Sequence, residues 1–135
     1  MACQLLVILG ALLHLYVWPM DLQPDVSVII TMYNSESYVE HAIQSVLQQD
    51  AHGLSFEIIV VDDGSTDTSC LVVESLNHQA VRLIPMPTNR GQALARNEGL
   101  KHADGQWIQF LDSDDRLGHN LFQQFEKTLR PEFNC

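Results

Sequence analysis

Two short, nearly continuous apolar runs, Val26-Ser-Val-Ile-Ile-Thr31 and Phe56-Glu-Ile-Ile-Val-Val61, do most to limit what this chain can fold into. Rich in β-branched residues, each suits a strand buried on both faces. Between them Val39, Ala42, Ile43, Val46 and Leu47 recur at helical spacing. Ser35 or Ser37 can cap that helix, and Asp50 to Gly53 ends it. Strand, helix and second buried strand make a unit whose strands run parallel with a right-handed crossover.

The pattern repeats down the chain. Asp67 or Thr66 caps a helix with Leu71, Val72, Ser75 and Leu76 on one side, and Val81 to Pro85 is a short third strand. Gly91 to Ala103 reads as a helix carrying Ala93, Leu94, Asn97 and Leu100 with the exposed bases Arg90 and Arg96. Asp104-Gly105 turns into a strand from Trp107 to Leu111, and Leu117 to Leu129 forms a last amphipathic helix before Pro131. Strands and helices alternate without an internal repeat. The expected class is α/β, with a mostly parallel sheet of about four strands flanked by helices.

Strands of such a sheet end on one edge, and ligands sit outside their carboxyl ends. Tyr33, Asp62, Asp63 and the cluster Asp112, Asp114 and Asp115 are therefore expected at a common rim. Three neighbouring carboxylates repel one another unless a cation joins them. Hard divalent ions take oxygen ligands and bridge carboxylates to phosphates, so Asp112-Ser-Asp114 reads as a metal clamp for a phosphorylated ligand. An acidic turn is the plainer reading of the same residues.

Net charge narrows the partners. With 17 acids against 7 bases, and a net charge of −10, no basic run is available to neutralise a nucleic acid. An anionic nucleotide can still bind through a cation and a few placed arginines. At 135 residues and 46% apolar content the chain has the size and composition of one globular domain. Cys3, Cys70 and Cys135 are too scattered for a disulfide framework or a zinc site, and Cys70 reads as a small core residue. The 6 histidines lack ligand spacing and read as surface or filler positions.

From Cys3 to Met20 no side chain is formally charged. At about 18 residues this run is barely long enough to span a bilayer as a helix. Three readings stand. It is a membrane anchor, although no Lys or Arg precedes it; a cleaved signal peptide, although a positive n-region and a small-residue cleavage site are missing; or a fortuitous start fused to the domain. The protein is accordingly expected at a membrane through residues 3–20, or otherwise in the cytoplasm.

Four blocks stand in order: Val-Ser-Val-Ile-Ile-Thr-Met-Tyr-Asn-Ser-Glu over 26–36, Val-Val-Asp-Asp-Gly-Ser-Thr-Asp over 60–67, Asn-Arg-Gly-Gln-Ala-Leu-Ala-Arg-Asn-Glu-Gly-Leu over 89–100, and Phe-Leu-Asp-Ser-Asp-Asp over 110–115. Together they resemble the nucleotide-sugar-binding half of family 2 glycosyltransferases. The resemblance implies a Rossmann-like GT-A domain over 26–130, and the uncharged run ahead of it is expected as an N-terminal hydrophobic helix within the segment 1–21, anchor or signal. The resemblance also implies a nucleotide-sugar donor, with UDP expected, and a Mn²⁺ or Mg²⁺ cofactor. Transfer would be inverting, to a hydroxyl of a glycan, lipid or protein.

The same resemblance assigns roles to single residues. Tyr33 would stack on the base. Glu36 would reach the ribose or base, or else act as an acid at a helix N-terminus. Asp63 would accept the imino hydrogen of a uracil-like base, with Asp62 shaping the turn. Arg96 would lie toward the base or diphosphate. Asp112 would face the ribose or the metal, and Asp114 would hold the metal on the diphosphate, where it acts as a Lewis acid.

Two departures stand out. Thr31 occupies a position where many members carry Pro. Members also continue into an acceptor-binding half that supplies the catalytic base, usually a later carboxylate, and often a Gln-x-x-Arg-Trp-type motif. Neither is recognisable here, so no catalytic residue is assigned, and a truncated chain that only binds nucleotide-sugar is the rival expectation. A phospho-acceptor receiver domain would also use Asp62, Asp63 and Asp112. It needs a further Thr and Lys on following strands, and it leaves the 89–99 block without a purpose.

Overall fold

Strand β1 (Val26–Met32) is the axis of the sheet, and all 7 of its residues are buried. It pairs in parallel with β2 (Phe56–Asp62) on one side and β4 (Trp107–Asp112) on the other, so that Ile29 lies between Ile59 and Phe110. β2 pairs in parallel with β3 (Val81–Pro85), which makes the order β3-β2-β1-β4. The chain thus builds outward from β1 to β3, then crosses back to lay β4 on β1's free side. The crevice beyond the carboxyl ends of β1 and β4 is the point of reversal, where open α/β sheets bind their ligands.

The structure, a computed structural model, describes residues 23–51 and 53–129. The expected hydrophobic helix over 1–21 and its membrane contact lie outside the described residues. Among the described residues no helix is long and apolar enough to cross a membrane.

Four helices cover the sheet: α1 (Val39–Leu47), α2 (Ser69–Ser75), α3 (Gln92–His102) and α4 (Leu121–Leu129). The period of two in β1 divides the core between its two faces. Val26, Val28, Ile30 and Met32 face α1, α2 and α4, meeting Val39, Ile43, Val73 and Phe122. Phe122 is fully buried and tilts against Phe56 with ring centroids 5.3 Å apart. On the opposite face Ile29, Ile59 and Val61 meet Ala95 of α3. Ser27 and Glu57, the polar residues within the two apolar runs, also have structural duties. The Ser27 hydroxyl donates to Glu57 Oε1 at 2.6 Å, and the two side chains accept the amides of Gly105 and Asp104 at the turn into β4.

The helices depart from expectation where a tertiary contact decides. No side chain caps α1; the Ser35 carbonyl accepts the Tyr38 and Val39 amides instead. α2 starts after Thr68 and buries Ser69 and Val73, while Leu71 is 63% exposed. α3 buries Ala95 and Gly99, whereas Ala93, Leu94, Asn97 and Leu100 are exposed. The reason is proximity: a Cβ on Gly99 would lie 2.5 Å from Ile29 Cγ2, so only small residues fit there. α4 begins at Leu121 rather than Leu117 because Gln49 of the α1 end supplies its cap. Gln49 Oε1 accepts the Leu121 and Phe122 amides at 3.0 and 3.4 Å.

Candidate functional site

The loop after β1 turns at Asn34, whose φ of 47° is one that Asn adopts readily. It is sewn to the loop after β2. Asn34 N–H donates to Ser65 Oγ at 2.9 Å, and Asn34 Oδ1 accepts the Thr66 amide at 2.8 Å. Ser35 N–H donates to Ser69 Oγ at 2.8 Å, and Glu36 N–H to Asp67 Oδ2 at 3.3 Å. Glu36 Oε2 in turn accepts the amide and hydroxyl of Thr68 at 3.0 and 2.5 Å. Its carboxylate therefore rests at the start of α2, where the helix dipole favours it, and it does not line the cleft described below.

Asp67 sits in the same seam. Burial raises its pKa, but the Ser69 hydroxyl and amide and the Glu36 amide more than offset this and hold it below 3.8. Asp62 is buried and turns inward, accepting the Ser65 amide at 3.1 Å. Burial, reinforced by a hydrogen bond to Asp62, pushes the Cys70 thiol up to about 11.

Asp63 joins this seam to α3. Its Oδ1 and Oδ2 accept the Arg90 and Gly91 amides at 2.7 and 2.8 Å, although only 3% of the residue is exposed. The following Gly64 has φ 76°, and a Cβ there would lie 2.6 Å from Asn89 N. The Asp-Gly pair is thus required both for the turn and for the close approach of the next loop.

Asp112 closes the rim from the other side of β1. Gln92 Nε2 and Arg96 Nη2 both donate to its Oδ1, at 2.6 and 2.9 Å. The Arg96 guanidinium also lies 5.5 Å from the centre of the Phe110 ring, in reach of a cation–π contact. Its Nε is buried with no hydrogen-bond partner among the described residues. Asp114 and Asp115 are exposed, and one carboxylate oxygen from each of Asp112, Asp114 and Asp115 falls within 4.8 Å of the others. An all-oxygen, all-anionic set of this kind fits Mg²⁺ or Mn²⁺.

A cleft of about 520 Å³ opens between these loops, within the range of small-ligand sites. Tyr33, Asp63, Asp112 and Asp114 of the expected residues line it; Asp62, Glu36 and Arg96 do not, Arg96 reaching the rim through Asp112. Asn34, Tyr38, Asn89, Gln92 and Ser113 line it as well, and no role was expected for them. All five stand inside or beside the recognised blocks, so their positions were visible. Their orientation was not.

The chain matches the model of glycosyl transferase family 2 over residues 27–132. It is 40% identical over 103 residues to an uncharacterised glycosyltransferase of Haemophilus influenzae, covering 75% of this chain and 40% of that protein. It is 40% identical over 93 residues to the poly(ribitol-phosphate) β-N-acetylglucosaminyltransferase TarS of Staphylococcus aureus, covering 67% of this chain and 16% of that protein. The crystal structure of S. aureus TarS 1–349 in complex with UDP-GlcNAc superposes with a TM-score of 0.69 at 33% identity, over 80% of this chain and 31% of that one. A mannosyltransferase of Pyrobaculum calidifontis in complex with GDP-Man and Mn²⁺ superposes with a TM-score of 0.65 at 30% identity, over 73% of this chain and 30% of that one. This chain therefore spans well under half the length of these relatives. On sequence and on fold alike, the chain belongs to glycosyltransferase family 2.

Proposed function

We propose that this chain binds a UDP-sugar through a divalent cation, as the donor site for inverting transfer to an acceptor hydroxyl of a glycan, lipid or protein. The observation that carries the reading is that Tyr33, Asp63, Asp112 and Asp114 line one and the same cleft, at the sheet's point of reversal. The UDP-GlcNAc bound by TarS, and the GDP-Man and Mn²⁺ bound by the P. calidifontis enzyme, support it.

Each residue has a chemical task in this reading. Tyr33 is 48% exposed at the end of β1 and offers a flat face to the base. The Asp63 carboxylate already accepts two amides, and its remaining lone pairs accept the imino hydrogen of uracil. Asp62 and Glu36 hold the loops that carry these groups rather than the nucleotide itself. Arg96 fixes Asp112 and brings positive charge toward the diphosphate. Asp114, with Asp112, would hold Mn²⁺ or Mg²⁺, which when bound supplies Lewis-acid neutralisation of the departing nucleoside diphosphate.

A second reading, donor binding without transfer, has its own support. General-base activation needs a group within hydrogen-bond reach of the acceptor hydroxyl. Among the described residues the carboxylates of Glu36, Asp62 and Asp63 are held by amides and hydroxyls. Asp112, Asp114 and Asp115 form the oxygen cluster. UDP release from UDP-GlcNAc with Mn²⁺ and a panel of acceptors separates the readings. Turnover abolished by Asp114→Ala supports transfer, binding without turnover supports the second reading, and absence of binding by folded protein refutes both.

A further inference from the structure

Ser113 stands between Asp112 and Asp114, and its hydroxyl is engaged by the loop after β1. Only 7% of the residue is exposed, and its hydroxyl lies 2.7 Å from the hydroxyl of Ser35, itself 8% exposed. These two residues are 78 positions apart, and their contact joins the loop after β1 directly to the loop after β4. Either hydroxyl can be the donor between them, and Ser35 Oγ also has the Tyr33 carbonyl as an acceptor at 3.3 Å. Ser35 N–H donates to Ser69 Oγ, and the Ser69 hydroxyl donates to Asp67 Oδ1 at 2.5 Å. A chain of hydrogen bonds therefore runs from the middle of the Asp-x-Asp motif, past the backbone of Tyr33, into the seam between the first two loops.

From this geometry we propose that Ser113 and Ser35 form a positioning pair. Their bond sets where Asp112 and Asp114 stand relative to Tyr33, so that one nucleotide reaches the base platform and the metal cluster together. The proposal rests on the donor-site reading above and extends it to two residues of the cleft lining whose hydroxyls are paired with each other. Asp112 is then held on both sides, through its own carboxylate by Gln92 and Arg96 and through its neighbour by Ser35. A ligand spanning two loops gains affinity when their spacing is set before it arrives. Ser35 keeps the Tyr33 carbonyl as its partner when Ser113 loses its hydroxyl, so the fold can tolerate the change.

The test is calorimetric titration of the full chain with UDP, with and without Mn²⁺, on wild type, Ser113→Ala, Ser35→Ala, the double variant and Ser113→Thr. Residues that orient metal ligands typically change metal affinity by about 10- to 100-fold. Ser113→Ala is expected to lose at least about tenfold of the Mn²⁺-dependent gain in UDP affinity while its metal-free affinity stays within about twofold of wild type. The double variant should lose no more than either single variant, because the bond is already broken, and Ser113→Thr, which keeps the hydroxyl, should recover the gain. An unchanged Mn²⁺-dependent gain in Ser113→Ala overturns the proposal, as does an equal loss with and without metal, the mark of a merely structural role. Should Ser113→Ala fail to fold, Ser35→Ala breaks the pair from the other side and decides in the same way. A folded wild type showing no Mn²⁺-dependent gain overturns the donor-site reading and this proposal together.

Discussion

Gly99→Ala sets two effects of opposite sign against each other, and the packing of α3 decides between them. In an exposed helix interior the change stabilises by about 1 kcal/mol, because Ala loses less backbone freedom on folding. Here the new Cβ would meet Ile29 Cγ2 at 2.5 Å and Val61 Cγ2 at 3.2 Å. Ile29 cannot move aside: it is fully buried and lies in register between Ile59 and Phe110. Overpacking of this kind costs about 1–3 kcal/mol through displaced backbone and strained rotamers. A 2.5 Å approach belongs at the upper end, so we expect a net destabilisation of about 1–2 kcal/mol, or a fall in Tm of about 5 °C or more. Calorimetric or urea melts measure it. Ile29→Leu removes Cγ2 and costs less than about 1.5 kcal/mol alone, so the double variant should be more stable than the sum of the single losses. A Gly99→Ala protein more stable than wild type would refute the placement of α3. The mounting of Gln92 and Arg96 over Asp112 would fall with it.

Three shorter predictions follow from other parts of the molecule. With its thiol pushed up to about 11, Cys70 in a Cys3→Ser, Cys135→Ser background should react with maleimide at pH 7.5 only slowly, and rapidly once urea unfolds the chain. Asp67 has a folded pKa below 3.8, so its contribution to stability is present above the unfolded value and lost as pH falls through the folded one. The urea midpoint of Asp67→Asn should thus lie below wild type at pH 7, with the gap closing below a pH of about 4. Trp107, Ile108 and Phe110 are exposed on β4, which among the described residues pairs only with β1. Such an edge invites self-association, so sedimentation should show concentration-dependent oligomers that Ile108→Lys reduces.

β1 and β2 were legible in the sequence because burial on both faces demands near-continuous apolar runs, and β3, half-exposed at the sheet edge, lies where its short apolar run placed it, at Val81–Pro85. The helices were less so, for reasons the structure supplies. α3 presses on the sheet through Ala95 and Gly99, so its buried face is marked by small residues rather than large apolar ones. The start of α4 depends on Gln49, which lies 72 residues before Leu121 and cannot be read from local sequence. The cleft shows the same division. Strand order carries Tyr33, Asp63, Asp112 and Asp114 to one rim, and alternation of strand and loop was enough to foresee that meeting. That Glu36 and Asp62 turn away to hold amides, and that Ser113 reaches back to Ser35, depends on contacts between loops that only the folded chain makes.

Binding of UDP by the full chain with and without Mn²⁺, for wild type and Asp114→Ala, tests the central claim most directly. Asp114 is exposed at the rim and belongs to the oxygen cluster, so replacing it removes the proposed metal ligand without disturbing a buried contact. The account predicts Mn²⁺-dependent UDP binding by wild type and its loss in Asp114→Ala, with unchanged melting of the metal-free proteins. A folded wild type that ignores UDP in the presence of Mn²⁺, or an Asp114→Ala protein that binds as wild type does, would contradict it.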